Sequence, residues 1–143
     1  MRSLMTFVLT SALTLTTLTA VRGQEQKDAV REIDLKGLKL GAGKGKVTNP
    51  MVIASVEELQ KAIPGEDVQN KIKGQVDFAK EKVLYFAWAG SGGDKLTPDV
   101  DMKDKQVTVN FRYKGGLTND LRQHHHVFVI PKDATWNVIT KGN

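Results

Sequence analysis

The sequence predicts an α+β domain, a mostly antiparallel β-sheet with two short helices packed on one face, and three stretches carry that prediction. Residues 82–89 form an apolar run rich in branched and aromatic side chains (Val83, Leu84, Tyr85, Phe86, Trp88), too short and too β-prone for a helix. Such a run reads as a central strand buried on both sides. In residues 106–113, Val107, Val109, Phe111 and Tyr113 alternate with Gln106, Thr108, Asn110 and Arg112, the period of a strand with one dry and one wet face. Between residues 55 and 74 the spacing changes to three and four, which is helical.

Residues 24–29 are polar and predict a frayed start. Residues 30–40 place Ile33, Leu35, Leu38 and Leu40 at short spacings around Gly37, a strand signal with a break. Residues 41–46 alternate glycine with alanine and lysine and predict a flexible loop. A phosphate-binding loop would need a glycine where Leu40 stands and a hydroxyl where Val47 stands, so that motif is absent. A short strand over residues 50–54 follows. Ser55 and Glu58 then fit a capping box, the hydroxyl accepting from an orphan N–H while the carboxylate reaches back to the Ser55 backbone. The helix begins at Val56, buries Val56, Leu59 and Ile63 on one face, and stops at Pro64-Gly65. A second helix over 67–73 takes Asp67 as its N-cap, points Val68 and Ile72 inward, and ends at Gly74.

After the central strand, residues 90–94 (Gly90-Ser91-Gly92-Gly93-Asp94) read as a loop. Residues 95–102 and 106–113 make a hairpin across Lys103-Asp104-Lys105. Residues 114–121 connect to a strand over 124–130, Pro131-Lys132-Asp133 turns the chain, and residues 136–140 form the last strand.

The chain has 143 residues, no cysteine, and 21 Lys plus Arg against 16 Asp plus Glu. That excludes a multidomain enzyme, a disulfide scaffold and a thiolate metal site. The basic Met1-Arg2, the charge-free residues 4–20 and the small residues Ala20 and Gly23 read as a secretory signal over residues 1–23, cleaved after Gly23. Cleavage removes Arg2 and Arg22, so the formal charge of +5 falls by two. The remaining lysines are interleaved with acids and lack aromatic company (Lys71, Lys73, Asp77, Lys80, Glu81, Lys82), which describes a solvated face and excludes a nucleic-acid stripe. The expected location is secreted or periplasmic. With no cysteine to carry a lipid, no stable membrane anchor is expected after cleavage.

Three groups of residues could carry chemistry. In Gln123-His124-His125-His126, strand alternation places His124 and His126 on one face and His125 on the other. Two imidazoles on one face could hold Zn or Cu, with a third ligand supplied by an acid elsewhere; surface histidines on a strand are the commoner use. Ala89-Gly90-Ser91-Gly92-Gly93 is similar to a nucleophile elbow with alanine for the first glycine, but such an elbow must run into a helix, and a loop entering a strand follows here. Asp99 and Asp101 share a strand face, and paired carboxylates can bind Ca²⁺ or serve in glycoside hydrolysis, although glycosidases place their pair across a substrate cleft, which a single hairpin does not guarantee. Charges that protect a sheet edge are the simpler assignment. Trp88, Trp136 and Tyr113 read as core.

From residue 52 onward the order of features resembles the C-terminal domain of PrcB-type protease-complex subunits and related small secreted bacterial proteins. The matching stretches are residues 52–59 (Val52-Ile53-Ala54-Ser55-Val56-Glu57-Glu58-Leu59), residues 76–84 beginning Val76-Asp77-Phe78, and the strand end Val127-Phe128-Val129-Ile130-Pro131. The resemblance implies a small β-rich binding module that associates with or stabilises an envelope protease, and it implies no catalytic residues. The Gly-Gly-Asp loop and the histidine cluster depart from it. The expectation is therefore a non-catalytic module that binds an envelope or extracellular protein without a cofactor, residues 106–113 serving as an edge strand for the partner. The alternative is a small metal-binding protein using His124 and His126.

Overall fold

The computed structural model describes residues 29–140; the leader expected over residues 1–23 lies outside the described residues. The elements are β1 (Arg31–Ile33), β2 (Met51–Ile53), α1 (Val56–Ala62), α2 (Glu66–Lys73), β3 (Glu81–Ser91), β4 (Lys95–Lys103), β5 (Gln106–Lys114), β6 (Leu121–Pro131) and β7 (Thr135–Thr140). The class is α+β, as the sequence predicts, but the strands divide between two sheets. One has the order β1-β6-β3-β2 and is antiparallel throughout. The other has the order β4-β5-β7, with β4 and β5 antiparallel and β7 parallel to β5.

The division follows from β3. Its alternation sends Val83 and Tyr85 to one face, where they join Leu59, Ile63, Val68 and Ile72 from the two helices and Val127 and Val129 from β6. Leu84, Phe86 and Trp88 go to the other face and meet Val109 and Phe111 of β5 with Phe128 and Ile130 of β6. A strand apolar on both faces needs a cover on each side. Two helices supply one cover, and the amphipathic β4-β5-β7 sheet supplies the other. The result is three layers, with β3 and β6 in the middle. Phe86, Phe111 and Phe128 pack in tilted and edge-on pairs 4.8 to 5.8 Å apart at the centre of the sheet-to-sheet core.

The helices begin nearly as the sequence predicts. Ser55 Oγ accepts from Glu58 N at 3.2 Å, while Glu58 Oε2 accepts from Ala54 N at 2.7 Å, one residue upstream of the reciprocal bond expected. In α2 the N-cap is Gly65 at φ 102°, with no side-chain cap, and Asp67 sits in the first turn instead. Its carboxylate still favours the positive end of the helix. The β4–β5 hairpin closes in a tight turn at Asp104 and Lys105, whose φ angles of 50° and 66° suit the twist of a hairpin.

Two further expectations are corrected. β5 is the middle strand of its sheet, hydrogen-bonded to β4 and β7, so residues 106–113 offer no edge to a partner; the C-terminal β7 returns alongside it. Residues 41–46 are tied down, with Gly45 N donating to Ala87 O at 3.0 Å and Gly43 N to Gln123 Oε1 at 2.7 Å. A β-carbon on Gly43 would stand 2.7 Å from Trp88 N, so glycine is required there for close backbone approach. Asp99 and Asp101 do lie exposed on the edge strand β4, Asp99 paired with Arg112 at 2.8 Å. Among the described residues no helix is long and apolar enough to cross a membrane.

Candidate functional site at the open half of β6

β6 pairs with β3 along its whole length, from Leu121↔Ser91 to Pro131↔Glu81. Among the described residues, its other side is covered only by β1, over Val127 to Val129. The orientation of the uncovered main chain follows from the bonds that flank the ladder. Gly92 N donates to Asp120 O at 3.1 Å and Lys132 N to Lys80 O at 2.8 Å. In an antiparallel ladder hydrogen-bonded pairs alternate, so the even-numbered residues of β6 exchange bonds with β3 and the odd-numbered ones face away. Leu121, Gln123 and His125 therefore turn their N–H and C=O groups toward the side that β1 has left.

β1 leaves for a local reason. Asp34 Oδ1 accepts from Lys36 N at 2.8 Å, an Asx turn, and Leu38 N bonds Leu35 O at 3.1 Å. Gly37 takes φ 82°. The bend carries Leu35 into the helix-side core, with Leu38 and Leu40 packed against it. A groove of about 510 Å³ remains between the bend and the uncovered half of β6, lined by Glu32, Asp34, Leu35, Leu40, Gln123 and His125 among others. Leu121, at the end of this edge, is 78% exposed.

The three histidines alternate as predicted. His125 faces the helix side, its Nδ1 2.8 Å from the Tyr85 hydroxyl. Burial, followed by the neighbouring imidazoles, lowers its pKa, against a smaller opposing effect from a bond to the Gly41 backbone. A neutral ring accepting from Tyr85 and donating to Gly41 fits both contacts. His124 and His126 face the second sheet. Their rings lie nearly parallel to the Trp88 indole, with centroids at 4.7 and 5.4 Å, and His126 also stacks on Phe128. His124 Nε2 is 2.8 Å from Ser91 O, and His126 Nδ1 is 2.6 Å from Glu32 Oε1. One nitrogen of each ring is thus engaged within the fold. Among the described residues no group of three or more His, Cys, Asp or Glu is placed to hold a metal.

Ser91 ends β3, and its hydroxyl is 2.6 Å from that of Thr118. It also accepts from Thr118 N at 3.1 Å and Gly93 N at 3.3 Å. The His124 ring meets the Ser91 carbonyl, so these atoms do not form a nucleophile and base pair. They knit the Gly-Gly turn to residues 115–118 instead.

Asp94, which the sequence left in a loop, is the hub of that end of the molecule. Oδ2 accepts from Trp88 Nε1 and Tyr113 Oη, each at 2.9 Å, and Oδ1 from Gly116 N at 2.8 Å. Burial alone would raise its pKa, but these donors and the nearby His124 outweigh it and hold the carboxyl below its ordinary value. Part of the signal was available: a tryptophan buried at the end of a strand must bond its N–H, and Asp94 is the acid nearest Trp88 in the chain, whereas Tyr113, 19 residues from Asp94, reaches it only through the fold. Asp120 has its pKa pulled down to about 2 by Thr118, then Arg122.

Comparison with protein families, curated proteins and solved structures finds no match to this chain.

Proposed function

We propose that this protein is a secreted or periplasmic, non-catalytic binding module of the bacterial cell envelope that captures an extended segment of another envelope or extracellular protein. The segment adds as a strand to the uncovered half of β6. The observation that carries the reading is the termination of β1 at Ile33 while β6 continues to Leu121, which leaves the outward-facing main chain of Leu121, Gln123 and His125 beside a groove. Unpaired strand edges of this kind take up peptides by main-chain hydrogen bonding, with grooves for alternate side chains. The edge is short and ends in a tight bend, which limits unspecific pairing. The hydroxyl, carboxylate and imidazole groups at the end of β3 are occupied in bonds that hold the turn, which supports binding over catalysis. The likeness of residues 52–131 to PrcB-type subunits makes an envelope protease the first partner to test.

Leu121→Pro tests the reading. Its N–H faces outward and its side chain is exposed, so proline removes no bond to β3 yet places a ring in the docking lane. The secreted chain, immobilised, is expected to retain a specific protein from envelope extract, and L121P is expected to lose it with an unchanged circular dichroism spectrum and Tm. Val52→Lys on the exposed edge of β2 is expected to retain it. Equal capture by L121P overturns the proposal.

A further inference from the structure

Resting on that reading, we infer that the segment taken up by β6 alternates apolar with basic side chains, because the two sides of the lane differ in chemistry. A strand laid along Leu121 to His125 shares the pleat of β6, so its side chains point alternately to the two faces. On the helix side they meet Leu35 and Leu40, which line the groove together with Gln123 and His125, and Leu121 at the end. This side accepts Val, Ile or Leu.

On the opposite face stands Glu32, which is opposite Phe128 in the β1–β6 register and 47% exposed at its side chain. Oε1 bonds His126, and Oε2 has no partner among the described residues. Asp34, the next residue but one, is exposed and has only Oδ1 engaged, by Lys36 N. Of the cationic groups on this face, Arg122 and His124 stand opposite the incoming strand, Arg122 held by Asp120 at 2.6 Å and His124 stacked on Trp88 with Nε2 at the Ser91 carbonyl, and Lys36 lines the groove. Among the described residues that line the groove, two carboxylates against one lysine favour Lys or Arg in the incoming strand and oppose Asp or Glu. At a strand rise of about 3.3 Å, five residues of peptide span the three outward-facing positions.

Three fluorescein-labelled peptides of alternating Val-Lys, Val-Ser and Val-Glu, titrated by anisotropy against the secreted chain, test this inference. Val-Lys is expected to bind about tenfold tighter than Val-Glu at low salt, the difference shrinking as ionic strength rises. Glu32→Gln with Asp34→Asn is expected to remove most of the preference while Val-Ser binding is kept, and Asp34→Asn alone, which leaves the His126 contact intact, to remove part of it. Equal affinity for Val-Lys and Val-Glu overturns the charge selection but leaves the edge reading standing. Binding of all three peptides by L121P overturns both, as does failure of all three to bind the parent. Concentration-dependent self-association of the parent, lost in L121P, would assign the edge to a second copy of this chain.

Discussion

At the scale of single residues, Asp94 and His125 show how side chains of catalytic type are used to hold a fold. Asp94→Ala leaves an indole N–H, a phenol and a main-chain N–H without their acceptor, at a cost of about 1–3 kcal/mol, which denaturant unfolding would measure. Its folded pKa is depressed. Stability from the ionised form is therefore complete above the unfolded carboxylate pKa, near 4, and is lost as pH falls through the lower folded value. The acid limb of a Tm profile is expected to flatten in Asp94→Asn. His125 has a depressed pKa for a different reason, burial foremost. Its neutral form contributes fully above the unfolded value near 6.5, and that contribution declines as protonation of the unfolded chain begins. His125→Gln is expected to reduce the fall in Tm between pH 7 and 5. The alternation of the three histidines was legible from the period of a strand. Their partners were not: Ser91, Tyr85 and Glu32 lie on other strands, and only the register brings them within bonding distance.

At the scale of elements, the most local features were the most legible. The Ser55 cap depends on residues three apart, and Ser55→Ala is expected to cost about 1 kcal/mol of stability. The loop over residues 41–46 shows the limit of such reading. Its glycines look like a demand for flexibility, yet Gly43 is buried against the main chain of Trp88 and Gly45 bonds Ala87. Gly43→Ala is expected to destabilise by about 1–3 kcal/mol, since the nearest atoms are backbone and do not yield as a side chain would. Gly41→Ala, with nothing within 4 Å of its added carbon, is expected to be nearly neutral. A thermal melt of the two variants separates a tethered strap from a free loop.

At the scale of the whole molecule, the sequence revealed that β3 is buried on both faces but not what lies on each. The apolar run specified two covers; the division of strands into two sheets depends on β7 returning parallel to β5, a long-range pairing with no local signature. That pairing closes the edge of β5, where the alternating pattern suggests one, and the open edge on the first half of β6 comes instead from the end of β1 at Ile33. The account then rests on one alternation along six residues, and amide hydrogen exchange reads it directly. In the free chain the N–H groups of Arg122, His124 and His126, bonded to β3, are expected to be protected, while those of Leu121, Gln123 and His125 exchange rapidly and become slow when the Val-Lys peptide is added. Uniform protection of all six in the free chain would mean that the edge is already filled, and would contradict the account.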